Sequence, residues 1–295
     1  MNKAIVIYNP ISGKGKGQLA ADAIKISKLN ELFKLEICKT EHLGHAKEIA
    51  LKGIEDGVLY FIAIGGDGTI NEVGSVLKGT QAAMGMIPMG SGNGLAKHIG
   101  MSTDFNQAIN QIYNAKTTCI DTLTINNRFA LNVSGFGFDG YVAYRFNHDG
   151  KRGLSTYTKI GLREYFRYPL QEFEITFDNH KKQVKKHMLV IANASQFGNA
   201  AIIAPTADLT DGIIELVAVE LPPVLNIPGI LYRLFNGKLK DNKYIQTYKC
   251  KSLVAKSKIA VHLHIDGESM EPVNEINVSI ESKSLFILTP SDVKQ

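Results

Sequence analysis

The sequence has little cysteine and no long apolar run. Its three cysteines, Cys38, Cys119 and Cys250, lie far apart, and none belongs to a CxxC pair. This spacing excludes a disulfide framework and a cysteine zinc site, and it is typical of a chain in a reducing compartment. No stretch of 18 apolar residues is present, and the apolar run at 4–8 is too short for a signal peptide. We therefore expect a cytoplasmic protein that spans no membrane.

A strong excess of one charge is also missing. The 295 residues include 33 Lys and Arg against 28 Asp and Glu, which gives a net charge of +5. Such a mixed surface predicts no nucleic-acid partner. Lysines are nevertheless concentrated locally, because segment 238–258 holds seven of them with one acid, and segment 180–187 holds four more. Such runs either face solvent or contact an anionic membrane or phosphate group, and the sequence leaves both alternatives open.

The first 120 residues alternate between strand and helix patterns. Predicted strands lie at 3–8, 33–38, 58–64 and 83–87, and predicted helices lie at 17–30, 43–53 and 69–78. Short apolar strands separated by helices predict a mainly parallel sheet that is covered on both faces. Ligands bind such sheets at the carboxyl ends of the strands.

Alternating, β-branched segments dominate from about residue 121. Strand patterns occur at 128–134, 171–177, 184–192, 213–220, 259–266 and 275–280, with helical patterns at 155–167 and 224–236. This order predicts a second, mostly antiparallel β domain. The last apolar pattern, 284–288, is expected to return to the first domain. We thus predict an α/β domain of residues 1–122 and 282–295, and a β-rich domain of residues 123–281.

Three glycine-rich turns follow predicted strands of the first domain. They are NPISGKGKG at 9–17, GGDGT at 65–69 and PMGSGNG at 88–94. Glycines let the backbone approach a ligand closely, and the free amides at a helix start bind anions. The first turn does not fit the Walker A pattern. Because the three turns meet at one sheet edge, they predict a phosphate site, where Asp67 is favourable only with Mg²⁺ or a transferring proton beside it.

Thr40 follows the second predicted strand and is a natural helix N-cap. Its place at the same sheet edge also favours a role in binding. His42 and His45 are three residues apart, but the sequence shows no third ligand beside them. We therefore interpret the two histidines as surface or capping residues rather than as metal ligands.

The second half offers two polar turns. SGFGFDG at 134–140 matches GxGxxG by letter, but we expect no helix after it and reject a dinucleotide site. Asp139, Arg152 and Arg163 are candidates for substrate or phosphate contacts. In HLHIDGESMEP, Asp266 and Glu268 flank a glycine, which is typical either of a hairpin turn or of a general base with a supporting carboxylate.

Six motifs in order resemble the diacylglycerol kinase catalytic family, which includes sphingosine kinases and bacterial lipid kinases. They are NPxSGKG at 9–15, TxxxGHA at 40–46, GGDGT at 65–69, PxGSGNGLA at 88–96, GFGFD at 135–139 and DGE at 266–268. The resemblance covers nearly the whole chain. It implies a nucleotide-binding α/β domain like that of NAD kinases and phosphofructokinases, followed by a β-sandwich that helps to receive a lipid. It also implies transfer of the γ-phosphoryl group of ATP, with Mg²⁺, to a hydroxyl of diacylglycerol or a sphingoid base.

The resemblance further implies roles for individual residues. The implied nucleotide contacts are Asn9, Ser12, Lys14, Thr40, Gly65, Gly66, Gly68, Thr69, Glu72, Gly90, Ser91, Gly92 and Asn93. Asp266 is implied as the base that takes the lipid proton, supported by Glu268, while Asp67 competes for that role or acts as the acid linked to Mg²⁺. Asp211 resembles a position that holds a structural metal in some bacterial members. The SGNGLA turn is closer to the sphingosine kinase type.

Two other functions compete with a lipid kinase. One is a kinase of a soluble acceptor such as NAD, since NAD kinases share the GGDG turn, and the other is a nucleotide-binding regulator without catalysis. For the lipid kinase we expect a membrane lipid as substrate and peripheral contact with the membrane through segment 238–258. The sequence is compatible with a homodimer and does not fix the oligomeric state.

Overall fold

The computed structural model describes residues 1–148 and 154–291, with the side chains of 154–158 excepted. The chain divides into two compact units, Met1–Thr122 with Ser282–Gln295, and Leu123–Glu281. The second unit is therefore inserted into the first.

The first unit alternates strands and helices. In chain order it contains β1 (Asn2–Tyr8), α1 (Ser12–Lys25), α2 (Leu29–Leu32), β2 (Phe33–Lys39), α3 (His45–Glu55), β3 (Tyr60–Gly65), α4 (Asp67–Leu77), β4 (Ala83–Pro88), α5 (Gly94–His98), α6 (Phe105–Tyr113) and most of β5 (Lys116–Ile125). The strands form a parallel sheet in the order β4, β3, β1, β2. Every residue of β4 is buried, as expected for a strand covered on both faces.

The second unit is mainly β. It contains β6 (Arg128–Ala130), β7 (Val133–Gly137), α7 (Phe138–His148), α8 (Leu154–Tyr165), β8 (Gln171–Phe177), β9 (His180–Lys186), β10 (Met188–Ala192), β11 (Ile214–Val219), a 3₁₀ turn (Val224–Asn226), α9 (Ile227–Phe235), β12 (Ile245–Cys250), β13 (Ser252–Ile265) and the first part of β14 (Glu268–Thr289). The strand order is β12, β11, β10, β7, β13, β14, and each neighbouring pair in this order is antiparallel. The strands β8 and β9 continue from β13.

Strand β11 shows how the sandwich core is built. Leu216 and Ala218 belong to one apolar cluster, which also contains Phe136 and Phe173. Val217 belongs to a second cluster on the opposite face of the strand. Because alternate residues of a strand point to opposite faces, β11 is covered on both sides. The predicted α/β unit and β-sandwich are thus confirmed.

The end of β14 returns to the first unit, as the sequence predicts. Phe286 and Ile287 pair in parallel with Ala83 and Met84 of β4. One prediction about the second unit is wrong, because helix α7 begins directly after β7. A missing helix therefore does not exclude a dinucleotide site at 134–140. Within residues 1–148 and 154–291, none of the helices is both long and apolar enough to cross a membrane.

Candidate active site

Four loops of the first unit leave the carboxyl ends of its parallel strands. They follow β1, β2, β3 and β4, and they contain the 9–17 turn, Thr40, the 65–69 turn and the 88–94 turn respectively. Hydrogen bonds join neighbouring loops, because Asn9 donates its amide to the Ile64 carbonyl and Met89 donates its amide to the Gly65 carbonyl, at 3.0 and 2.7 Å. The structure thus brings together the three glycine turns.

Two glycines at this edge, Gly65 and Gly90, are needed for close packing within and between the turns. A Cβ added at Gly90 would lie 2.7 Å from the Cα of Gly66, and one added at Gly65 would lie 2.4 Å from the Thr69 hydroxyl oxygen. A Cβ at Gly68 would meet no heavy atom within 4 Å. Gly68 is exposed at the start of α4, where amides attract anions. Among these three positions, open space for a ligand is therefore found at Gly68.

The Asp67 carboxylate clamps the second and third glycine turns together. Its Oδ2 accepts the Asn93 amide and its Oδ1 accepts the Gly94 amide, each at 2.9 Å. The Asn93 side chain is itself held by Gly90, whose amide and carbonyl it engages at 2.8 Å. Burial raises the pKa of Asp67, and the two amide hydrogen bonds oppose that rise. The sequence could not predict this clamp, because the bonded residues are 26 and 27 positions apart.

Glu72 forms a second clamp, between α4 and the loop after β2. Its two carboxylate oxygens accept the amides of Gly44 and Ala46, each at 3.1 Å. Thr40 is buried beside this loop and donates its amide to the Tyr8 carbonyl at 2.9 Å. The predicted nucleotide contacts Thr40 and Glu72 thus both hold the sheet edge in shape.

The loop after β1 is tightly folded and partly open to solvent. The Ser12 hydroxyl donates to the Asn9 carbonyl at 2.7 Å, and the Asn9 Oδ1 accepts the Ile11 amide at 3.1 Å. Lys14 lies between two glycines in left-handed backbone, with φ of 59°. Its side chain is exposed, as is that of Ser91 in the third turn. The cation and hydroxyls that a phosphate needs are therefore present on this edge, together with the half-buried Gly92.

In the second unit, Asp266 and Gly267 form the two-residue turn between β13 and β14. Both have positive φ, 49° and 87°, which is the pattern of a type I′ hairpin turn. The Asp266 carboxylate accepts the amides of Leu131 and Asn132 at 2.7 and 2.9 Å. Glu268, the first residue of β14, is exposed. The two acids therefore differ in role, since Asp266 fastens the turn and Glu268 faces solvent.

The three predicted substrate contacts of this unit differ in their surroundings. Asp139 is 5% exposed and its Oδ2 lies 3.2 Å from the His264 ring, so the structure gives it a partner inside the unit, and its contact with substrate stays a prediction. Arg163 is exposed, donates to Glu164 at 2.8 Å, and lines a cavity of about 570 Å³ with Arg145 and Arg167. Arg152 lies outside the described residues.

Ligands for a metal ion are sparse. Among the side chains that the structure describes, one group of three or more His, Cys, Asp or Glu atoms is close enough to share an ion, namely His42, His45 and Glu48. Glu48 is the third member that the sequence did not reveal, but the His45 Nδ1 already accepts the Glu41 amide at 3.1 Å. Asp211 accepts the Ile213 amide at 2.9 Å and belongs to no such group.

Comparison with known families finds two matches along the chain. Residues 3–125 match the model of the diacylglycerol kinase catalytic domain, and residues 132–289 match the YegS C-terminal NAD kinase beta sandwich-like domain. The first unit thus matches a diacylglycerol kinase catalytic domain, and the second matches an NAD kinase-like sandwich. The chain belongs to the diacylglycerol kinase catalytic-domain family.

Individual relatives extend over the whole chain. The diacylglycerol kinase of Staphylococcus saprophyticus is 28% identical over 300 residues, which cover 99% of this chain and 97% of the relative. That of Staphylococcus epidermidis is 28% identical over 299 residues, with 99% and 93% covered. The crystal structure of a diacylglycerol kinase from Bacillus anthracis has a TM-score of 0.78 at 19% identity, covering 99% of this chain and 98% of that one. The last comparison shows a shared fold.

Proposed function

We propose that the chain is an ATP-dependent kinase that phosphorylates a lipid hydroxyl, with diacylglycerol as the first candidate acceptor and a sphingoid base as the second. The observation that carries the proposal is the clamped edge of the parallel sheet. There, glycines and two carboxylates hold four loops together while Gly68, Lys14 and Ser91 stay exposed. Phosphoryl transfer depends mainly on positioning and charge neutralisation, which such an edge supplies.

ATP would bind with its phosphates at the start of α4. The exposed Gly68 at the helix start, the Ser91 hydroxyl and the Lys14 ammonium are groups of this unit that suit an anion. Mg²⁺ commonly uses one or two carboxylates and completes its shell with phosphate oxygens and water. Asp67 fits as that carboxylate, because its two oxygens together have more lone pairs than the main-chain amides they accept. The metal would neutralise phosphate charge.

Glu268, rather than Asp266, is the proton acceptor in this proposal. The sequence suggested the reverse, with Asp266 as base and Glu268 as support. Both oxygens of Asp266 accept main-chain amides, an arrangement that stabilises the charged form and fixes the carboxylate in place. Glu268 is exposed and stands directly after the turn, so its carboxylate is accessible to a substrate from solvent.

A lipid acceptor is supported by an apolar surface on the second unit. We define the apolar ridge as Leu162 and Phe166 of α8 with Leu225 of the 3₁₀ turn and Tyr232 of α9, which are 63%, 69%, 95% and 62% exposed. The Tyr165 hydroxyl donates to the Pro222 carbonyl and so joins the two parts of the ridge. Apolar side chains of this size are unfavourable in water and favourable at a lipid interface.

Charge near the ridge suits an anionic bilayer. Arg167 and Arg233 are exposed, and residues 222–240 include no acid. The lysine segment 238–258, which the sequence favoured for docking, is less suitable. Three of its lysines, Lys249, Lys256 and Lys258, are within 3.1 Å of glutamates. We therefore place peripheral membrane contact at the apolar ridge.

Two other functions compete with the lipid kinase, and the experiment below distinguishes them. A soluble acceptor such as NAD would fit the β-sandwich of NAD kinase type, but the two staphylococcal relatives are both named diacylglycerol kinase. A regulator without catalysis is disfavoured by the intact Asp67, Asp266 and Glu268.

The test is transfer of radiolabelled phosphate from ATP into mixed micelles that contain diacylglycerol, sphingosine or no acceptor, with NAD offered separately. Label in diacylglycerol that is lost in Glu268→Gln, while ATP binding persists, supports the proposal. Label in NAD alone, or tight ATP binding with no label in any acceptor, contradicts it. Asp266→Asn is run beside these variants, and we expect it to lower thermal stability as well as activity.

A further inference from the structure

A buried aspartate–histidine pair lies behind the turn that precedes Glu268. His264 is 3% exposed and Asp139 is 5% exposed, and the ring Nε2 lies 3.2 Å from Asp139 Oδ2. The opposite ring nitrogen, Nδ1, accepts the amide hydrogen of Gly267 at 3.2 Å. This second bond fixes the tautomer, because a nitrogen that accepts a hydrogen bond cannot also carry a proton. Nε2 therefore carries the proton and donates a hydrogen bond to Asp139.

The GFGFDG motif is built around this pair. His264 is paired across the sheet with Gly135, and a Cβ on Gly135 would lie 1.8 Å from Asp139 Oδ2. A Cβ on Gly140 would lie 2.4 Å from the His262 carbonyl oxygen. The two glycines thus let α7 approach β13 closely enough for the carboxylate to reach the ring. Asp139 Oδ1 also accepts the Gly140 amide at 2.9 Å.

We propose that His264 is a positioning residue, whose Nδ1, oriented by Asp139, holds the Gly267 amide and so fixes the direction in which Glu268 leaves the turn. The proposal rests on the proposed function of Glu268 as proton acceptor. Asp266 fastens the same turn from its other side through the amides of Leu131 and Asn132. Displacement of an acid–base group by about 1 Å can lower a rate by roughly 100-fold.

Two substitutions separate the two hydrogen bonds of His264. In His264→Asn, the amide oxygen takes the place of Nδ1 and can still accept from Gly267, but the contact with Asp139 is lost. In His264→Gln, the amide nitrogen takes the place of Nε2 and can still donate to Asp139, but the contact with Gly267 is lost. Because a buried carboxylate without its donor is costly, His264→Asn is expected to be the less stable of the two.

Activity is expected to follow the opposite order. We expect kcat to fall by about 10- to 100-fold in His264→Gln and by less than about 3-fold in His264→Asn. KM for ATP should not change, because the loops proposed for the nucleotide belong to the other unit. A merely structural role would make kcat follow stability, and kcat that is lower in the less stable variant would overturn the proposal. If His264→Asn does not fold, the double variant with Asp139→Asn removes the unpaired charge and serves as the test.

Hydrogen exchange of the turn amides, measured by mass spectrometry without substrate, gives a readout independent of catalysis. Exchange at residues 266–268 should accelerate in His264→Gln and stay at the wild-type rate in His264→Asn. Equal exchange in both variants would refute the hydrogen bond to Gly267 as the fastening contact. If the wild type phosphorylates none of the acceptors, the proposed function fails, and the exchange result still decides what holds the turn.

Discussion

Substitution of Gly90 by alanine tests whether the glycine turns are packed on one another. The added Cβ would lie 2.7 Å from the Cα of Gly66 and 2.8 Å from the Asn93 Oδ1, whereas ordinary contacts of a Cβ begin at 3.4 Å. The two turns would therefore separate by roughly 0.7 Å. Separation of the turns also weakens the hydrogen bonds that join them, in which the Asp67 carboxylate accepts the amides of Asn93 and Gly94.

The expected cost combines two terms. Overpacking of this kind costs about 1–3 kcal/mol, and the weakened hydrogen bonds together add about 1 kcal/mol. A loss of roughly 2–4 kcal/mol lowers the unfolding temperature of a unit of this size by on the order of 10 °C. The assay is thermal unfolding of the ligand-free protein, followed by circular dichroism.

Gly68→Ala is the matched control. Its Cβ meets no atom within 4 Å, and the residue lies in the first turn of α4. Since alanine favours a helix over glycine by up to about 1 kcal/mol, stability should stay equal or rise slightly. The stabilisation that ATP adds should nevertheless fall in this variant, because the methyl group enters the proposed phosphate site. Unfolding of Gly90→Ala at the wild-type temperature would refute packing between the glycine turns.

Three further predictions concern other parts of the molecule. Glu72→Gln leaves one amide of the 44–46 turn facing an NH₂ group. We therefore expect the free energy of unfolding, measured by denaturant titration, to fall by about 1–3 kcal/mol, and ATP binding, measured by calorimetry, to weaken. Unchanged values would exclude the clamp. Leu225→Glu changes a side chain that is 95% exposed, so co-sedimentation with anionic vesicles should fall several-fold at constant thermal stability. Burial lowers the pKa of His187, whose Nδ1 accepts the Leu221 amide. Neutral His187 therefore stabilises the fold above the ordinary histidine pKa of 6.5, and this stabilisation is lost as the pH falls through the pKa of His187 in the folded protein. Unfolding temperatures measured from pH 7 to 5 should therefore fall more steeply in the wild type than in His187→Gln, and parallel curves would contradict this assignment.

The sequence predicts the course of the backbone well where burial follows a simple period. The strand predicted at 171–177 is β8, and the one predicted at 58–64 lies within three residues of β3. Helix α7 is different, because its tyrosines and phenylalanines have low helix propensity and its Gly140 is unfavourable in a helix. Packing of Gly140 against the His262 carbonyl outweighs these local preferences.

The sequence predicts where the candidate site lies, but it does not predict which groups the acids of the site bind. The turns at 65–69 and 88–94 lie at the sheet edge where the sequence places them. Asp67, Glu72 and Asp139, however, bind partners that are 26 to 125 residues away. A sequence shows that a carboxylate is present in a turn, but the amide or ring it meets depends on how distant segments fold together.

The insertion of the second unit has a consequence for synthesis on the ribosome. The strand beside β4 is the end of β14, and the Thr122 and Ser284 hydroxyls are hydrogen-bonded at 2.8 Å where the chain leaves and re-enters the first unit. All of Leu123–Glu281 must therefore be translated before this strand exists. Until then one edge of β4 stays unpaired, and such an edge is prone to wrong pairing. The first unit begins first and is completed last.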